Sequence, residues 1–407
     1  MKLKKYIDNY FLFLFSIIPI SILIGSSVSI LNILLIDISF VALMFFIGDF
    51  SFLKAKELKY FLILYVYLIF NSFISIDFSQ GVYRNFGFLR MIILFFAFNY
   101  FFNQKNFLNK VFKFWMIVFA IVLIDVVFES YFGKNILGYG KTFGSRIVSF
   151  FKDEPIVGGF LNGFYLMIIG FLIQKFKNQN IYVILFSIFF LLVIVLTGER
   201  SNSIRALMGL LMFIIFYNEF KNKIKLIYLA IIIALLSLFI FNSSFLYGRF
   251  IKQINSLLNH SKAHNSYYQL YGSGLRVFED YKIFGVGNKN YRIETCRELD
   301  KTEIDKIEKY FCSNHPHQVY VEFLSEHGIF GTFIFFFIMY KLIFSKIKRT
   351  FIEKNYLKSG SLIYIILVFT PMLPSGAFFN DYMITIFTIN LSIFYASDQN
   401  LNIFRKH

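Results

Sequence analysis

Long apolar stretches recur along this chain from near its first residue almost to its last, and that recurrence restricts the fold more than any other feature. A helix crosses about 30 Å of hydrocarbon with about 20 predominantly apolar residues. Hydrophobic residues make up 57% of the 407 and charged ones only 16%, more apolar surface than one soluble core can hide. A transmembrane barrel calls for segments of about ten residues that alternate apolar and polar, whereas residues 181–196 are apolar on every side. The expected fold is therefore all-α, a polytopic integral membrane protein with about twelve spans. They fall at 9–25, 28–48, 58–76, 84–102, 111–131, 157–174, 181–197, 203–219, 224–242, 319–344, 360–378 and 381–397. The basic start followed by an apolar run imitates a secretory signal, but no small-residue cleavage site follows, and it reads as an uncleaved first span.

The formal net charge of +17 would point to nucleic acid in a soluble protein. Here the lysines gather in short connections between apolar segments, so they read as topology signals and no nucleic-acid partner is expected. The clusters alternate: Lys2, Lys4 and Lys5; Lys54, Lys56 and Lys59; Lys105, Lys110 and Lys113; Lys175 and Lys177; Lys221, Lys223 and Lys225; Lys341 through Lys358; Arg405 and Lys406. By the positive-inside rule these connections and both termini are cytoplasmic, which requires an even number of crossings. The remaining connections face outward: 77–84, 133–155, the junction 197–201 and the long stretch 242–318. The chain thus divides into spans one to nine over 1–242, one large outward loop over 243–318, and spans ten to twelve with a cytoplasmic tail over 319–407.

The large loop is the main polar insertion, and a membrane protein that invests in one loop commonly places its site there. Gly272, Gly274, Gly285 and Gly287 act as turn signals, and a charged helical piece is expected around residues 299–310. Both cysteines, Cys296 and Cys312, lie in it. In an oxidising compartment they are expected to pair, closing a loop of about 17 residues worth roughly 3 kcal/mol in the chain-entropy model, against the alternative of two unpaired thiols.

Three outward positions carry chemistry. Arg200 stands in Leu196-Thr197-Gly198-Glu199-Arg200-Ser201, Arg276 in Gly274-Leu275-Arg276-Val277, and His317 in His315-Pro316-His317-Gln318. Guanidinium forks match phosphate oxygens, so two converging arginines make a diphosphate clamp able to neutralise a departing lipid diphosphate. A histidine with an ordinary pKa of about 6.5 accepts a proton from a hydroxyl at neutral pH. Each residue also has a plainer reading: an interfacial arginine anchors a helix end, and a loop histidine is solvated. His315 competes with His317 for the base. Neither an Asp-X-Asp nor a His-Glu-X-X-His pattern occurs, so no metal and no cofactor are expected. Glu154, at the start of the sixth span, is a candidate to orient an arginine or assist the base, with a helix-start carboxylate as the plain alternative. Arg90, inside the fourth span, needs a partner, and Asp125 in the fifth is the candidate for a structural ion pair.

The order of these elements resembles the O-antigen ligase and polymerase superfamily. Gly285-Val286-Gly287-Asn288 precedes His315-Pro316-His317-Gln318, which opens a helix running to Glu326-His327-Gly328-Ile329-Phe330-Gly331. Upstream, Thr197-Gly198-Glu199-Arg200-Ser201 is similar to the family's threonine-glycine-X-arginine-serine element. Phe150-Phe151-Lys152-Asp153-Glu154-Pro155 and Pro374-Ser375-Gly376-Ala377-Phe378-Phe379-Asn380 also resemble family segments, so the likeness runs from about residue 125 to 390. Gln318 departs from the asparagine often found there.

The resemblance implies a GT-C-type glycosyltransferase of the bacterial inner membrane, independent of metal. Such an enzyme moves a glycan from undecaprenyl diphosphate to a sugar hydroxyl at the periplasmic face. It implies that Arg200 and Arg276 engage the diphosphate and that His317 activates the acceptor, with His315, Glu154 and Gln318 as further substrate contacts. The leading expectation is an O-antigen ligase acting on lipid A core. A polymerase of lipid-linked repeats, a protein oligosaccharyltransferase and a transporter of lipid-linked glycans are the alternatives, and the last is disfavoured because the polar candidates gather on one side.

Overall fold

The structure is a computed structural model and describes residues 2–140, 146–176, 180–217, 221–255, 266–296 and 310–405. Among these every regular element is helical and no strand occurs. The first expected span is a bent pair, α1 (Lys2–Ser16) and α2 (Ile18–Ile24), which meet at 40°. Then come α3 (Ser26–Ile47) and α4 (Lys56–Phe73), followed by α5 (Phe78–Gly87) with α6 (Leu89–Phe101), and α7 (Lys105–Phe132). Next are α8 (Val157–Lys175), α9 (Asn180–Leu196), α10 (Arg200–Phe216) and α11 (Asn222–Asn242). The large loop contributes α12 (Ser266–Asp280), and the C-terminal part α13 (Val319–Leu342), α14 (Tyr356–Val368) and α15 (Asp381–Ala396).

Every expected span thus coincides with a helix or a pair of helices. Among the described residues, six helical stretches are long and apolar enough to cross a bilayer, seven if the bent first pair is one span, and three shorter apolar helices accompany them. The expected span 360–378 is too long at its end: α14 stops at Val368, and Pro371 and Pro374, which cannot continue a helix, turn the chain into an irregular segment. The charged helix expected at 299–310 lies outside the described residues except for Tyr310.

The centre of the bundle is α8 packed on α14, with α14 on α15 and α15 on α6. Helices in lipid gain little from expelling water, so close backbone approach carries their association. Gly170 of α8 and Gly360 of α14 provide it: a methyl at Gly170 would overlap the Tyr356 carbonyl, and one at Gly360 the Leu166 carbonyl. By contrast, only 11% of the apolar window of α11 is buried, so its surface is left for lipid.

Two intramembrane charges find partners other than the expected one. Arg90 of α6 pairs with Asp381, the first residue of α15, and not with Asp125. Asp125 of α7 instead accepts from the Ser149 hydroxyl at 2.5 Å and from the Ile136 backbone N–H at 2.9 Å. Both carboxylates stand where a backbone or guanidinium donor would otherwise be left unpaired, which spacing along the chain does not reveal.

The helix α13 is broken within its apolar length. Gly328 sits at φ 62°, ψ −169°, a region open to glycine and almost closed to other residues. The break frees the backbone groups of one turn, and inside a bilayer these must be satisfied by protein. The loop after α12 does so from outside the helix. Val286 N–H and Gly287 N–H donate to the Ser325 and Glu326 carbonyls, both at 2.9 Å. In return, Ile329 N–H and Phe330 N–H donate to the Lys282 and Ile283 carbonyls at 2.8 and 3.1 Å. The same loop is fastened to α4 and to the residues leading into α5: Asn288 N–H donates to Asn71 Oδ1 at 2.8 Å and Ile76 N–H to the Val286 carbonyl at 3.1 Å.

Gly328→Ala is therefore expected to destabilise the protein by about 2 kcal/mol or more, because a methyl there also overlaps the Ile283 carbonyl. Thermal unfolding of the detergent-solubilised protein measures this. Gly48→Ala, at φ 68° with open space around it, is expected to cost less.

A basic cavity bearing two histidines

A cavity of about 780 Å³ opens between the corner joining α2 to α3, the turn 146–156, the α9–α10 junction, the segment around Arg249, and the two stretches containing His315–His317 and 374–383. Four arginines line it: Arg146, Arg200, Arg205 and Arg249. Lys152, Asp153, Glu154, Glu199, Asp381, His315 and His317 line it too.

Each wall is held by buried carboxylates or by helix ends. Glu129 and Asp125, one turn apart on α7, grip the turn at Ser149. Glu129 accepts from the Val148 and Ser149 N–H groups at 3.1 and 2.6 Å, and Ser149 takes a left-handed φ of 49°. That turn presents Arg146 on one side and Lys152 through Glu154 on the other. Glu199 caps α8 from a distant part of the chain, accepting from Gly158 N–H at 2.6 Å, Gly159 N–H at 3.1 Å and the Asn202 amide at 2.7 Å. Gly158 permits this approach, since a methyl on it would sit 2.6 Å from Thr197 Oγ1. Burial pushes the Glu199 carboxyl up to about 7, while its hydrogen bonds and the Arg146 charge oppose the rise.

The arginines differ in their commitments. Arg205 is buried and donates to the Leu367 and Leu373 carbonyls, at 3.2 and 3.3 Å, so it covers the C-terminal end of α14. Arg249 donates through Nε and Nη2 to the Gly198 carbonyl at 3.2 and 3.1 Å, and through Nη1 to Gln253 at 2.9 Å. Burial first, and then the charges of Arg200 and Arg146, hold the Arg249 guanidinium below its ordinary value. Neither Arg146 nor Arg200 makes an ion pair with a described residue. Arg200 also begins α10, whose N-cap makes no side-chain hydrogen bond, so the open first turn adds positive potential to the same wall.

His317 takes a left-handed φ of 56°. Its N–H donates to His315 Nδ1 at 3.0 Å, its carbonyl accepts from Ser375 N–H at 2.9 Å, and the two imidazole centroids lie 3.9 Å apart. The bond to Nδ1 commits that nitrogen of His315 as an acceptor, so the neutral ring carries its proton on Nε2. Burial, followed by the neighbouring His317, pulls His315 down to about 4. His317 is also lowered by burial, against a hydrogen bond with the Ser375 backbone. Cys296 and Cys312 are joined in a disulfide with an S–S distance of 2.06 Å. It ties the end of the short helix Tyr291–Thr295 to the strap that leads into His315, where the Ser313 hydroxyl donates to the His315 carbonyl at 3.1 Å.

Of the residues singled out in the sequence, the cavity brings together Arg200, His315, His317 and Glu154. Arg276 and Gln318 are not among its lining residues. On α12 the residues Leu270, Ser273, Gly274 and Val277 are buried, and helical geometry puts Arg276 on the exposed side. Gln318 is buried and caps α13, its side-chain oxygen accepting from Val321 N–H at 2.9 Å. Sequence reading passed over Arg146, Arg249 and Glu199. The first two offered a signal: they are arginines in connections assigned outward, where the positive-inside pattern calls for few cations.

Helices of membrane-crossing length around a basic cavity with a histidine pair mark a multi-pass membrane protein. Residues 185–336 match the family model described as O-antigen ligase, a stretch in which the chain is similar to the O-antigen ligase and polymerase superfamily. This family of glycosyltransferase-like ligases and polymerases supports an enzyme acting on lipid-linked glycan and a glycan acceptor in a membrane. A search of curated proteins found no match. The cavity also draws on Glu154 and on the stretch 374–383, both outside the matched residues.

The raised Glu199 pKa has a consequence for stability. The folded value, about 7, lies above the ordinary value of 4.5, so the folded state binds this proton more tightly than the unfolded chain. The contribution is fully present below pH 4.5 and is lost as pH rises through 7. Glu199→Gln is expected to flatten the fall in melting temperature between pH 5 and pH 8, as measured by thermal unfolding in detergent.

Proposed function

We propose that this protein is a glycan transferase that moves a sugar chain from a lipid-linked diphosphate to an acceptor hydroxyl, most specifically an O-antigen ligase acting on lipid A core. The supporting observation is the crowding of Arg146 and Arg200 around Arg249 in the cavity that His317 also lines. Like charges packed this way repel, and a diphosphate relieves the repulsion while accepting bidentate hydrogen bonds. In this reading Arg249, oriented by the Gly198 carbonyl, takes the place assigned to Arg276 in the clamp, beside Arg200 at the start of α10.

The acceptor hydroxyl gives its proton to His317, and its oxygen forms a bond to the anomeric carbon. The bond from that carbon to the diphosphate oxygen breaks, and the electron pair leaves on the lipid diphosphate, whose developing charge the guanidinium groups neutralise. His317 acts as the base because the Nδ1 lone pair of His315 is occupied by the His317 N–H. His315 therefore orients the loop that carries the base. Guanidinium charge takes the part a divalent ion plays in other phosphate sites, and a chelator is expected to leave turnover unchanged. The donor is undecaprenyl diphosphate-linked, the site opens to the periplasm from the inner membrane, and both termini are cytoplasmic, in keeping with the lysine clusters.

In a reconstituted assay with lipid-linked glycan and acceptor, His317→Ala is expected to lower kcat by about 10²–10⁴-fold. Arg200→Ala and Arg249→Ala are each expected to lower kcat/KM by about 10²–10³-fold. Since a base must be unprotonated, the acid limb of the rate profile is expected below the ordinary histidine pKa of 6.5, as burial lowers it. Full transfer by His317→Ala and Arg200→Ala proteins that accumulate normally would remove the proposal. In cells lacking the protein, core without any O-antigen together with accumulated lipid-linked polymer marks a ligase, and core bearing a single repeat marks a polymerase.

A further inference from the structure

Glu322 lies in the first turn of α13, five residues beyond His317, and is 3% exposed. It does not line the cavity. Its two carboxylate oxygens both accept from one donor, the Phe378 N–H, at 2.9 and 3.1 Å. Phe378 belongs to the turn 374–380, whose Pro374, Ser375, Gly376 and Asn380 line the cavity, and Ser375 of that turn donates its N–H to the His317 carbonyl at 2.9 Å. The turn is thus fastened to the helix start at two points, one of them the backbone of His317 itself. Apolar contacts give it separate support: the Phe378 and Phe379 rings lie 5.4 and 5.8 Å from that of Phe323. Because packing already holds the turn near α13, a buried carboxylate is more than the turn needs in order to stay folded. What the carboxylate adds is register, by fixing where Ser375 meets His317. The helix N-terminus, which favours an anion, offsets part of the cost of burying it.

We propose that Glu322 is a positioning residue that sets the placement of the His317 imidazole through the 374–380 turn. The inference rests on the reading of His317 as the base. Displacement of a reacting group by about 1 Å can cost about 10²-fold in rate, so the effect falls on turnover and leaves substrate binding, which belongs to the arginine wall, nearly untouched.

The test is steady-state transfer in proteoliposomes by wild type, Glu322→Ala, Glu322→Gln and His317→Ala, with thermal unfolding measured on each. Glu322→Ala is expected to lower kcat by about 10–100-fold with the donor KM within about threefold of wild type. Glu322→Gln, whose amide oxygen still accepts from Phe378 N–H, is expected to recover most of the rate. A Glu322→Ala protein with wild-type kcat overturns the proposal, as does a Glu322→Gln protein as slow as the alanine variant. If the alanine variant does not accumulate, Glu322→Asp, which withdraws the carboxylate by one methylene, is expected to show the same loss of kcat, and wild-type turnover there overturns the proposal equally. Loss of activity in His317→Ala beside an unaffected Glu322→Ala refutes the positioning role alone, whereas full activity in His317→Ala refutes the assignment of the base.

Discussion

The need to satisfy every backbone polar group inside hydrocarbon shapes this structure more than any single side chain does. An unbroken α13 would meet that need by itself and would carry its first turns, with His317 just before them, straight along the bundle. The break at Gly328 opens one turn, and four hydrogen bonds from the 282–287 loop close it again. Because the loop is also bound to α4 and α5 through Asn71 and Asn85, the break locks three distant parts of the chain together. The histidine pair therefore stands on a helix start whose direction is set from outside the helix, and the disulfide at Cys296 and Cys312 closes the remaining strap.

This gives the glycine-rich motif a structural meaning. Gly285-Val286-Gly287-Asn288 is the patch that repairs α13, with the valine and glycine N–H groups as its stitches and Asn288 as its anchor. The Glu326-to-Gly331 pattern supplies the other half, since Gly328 makes the break and Gly331 lets Tyr67 of α4 lie against the helix, where its hydroxyl donates to the His327 carbonyl at 3.1 Å. Motifs far apart in sequence are the two faces of one backbone joint.

The all-helical class and the position of nearly every apolar helix were legible because hydrophobic length is a local property, summed over neighbours in sequence. The cavity's membership was legible only in part. Arg200, Glu154 and the two histidines announced themselves by motif, and the cavity contains them. Arg276 looked equivalent to Arg200 in its string of letters, but the face it takes depends on which side of α12 packs on α13, a fact settled by Val277 and Ser273. Arg249 enters through a bond to the Gly198 carbonyl, fifty-one positions upstream in the chain. Partner choice among intramembrane charges failed for the same reason: Arg90 found Asp381 across 291 positions, a pairing that no periodicity encodes.

The mutual indentation of α8 and α14 at Gly170 and Gly360 bears on how large substrates come and go. Backbones in such contact cannot slide or part without losing it, so the α8–α14 pair, which lends the cavity Asn162 and Tyr364, behaves as a fixed anvil. Under the proposed function, any widening for a bulky glycan falls to the outlying pieces, the corner between α2 and α3 and the helix α12. The lining residues that α8 and α14 contribute, Gly159, Asn162, Tyr364 and Val368, then hold their places while a substrate is admitted.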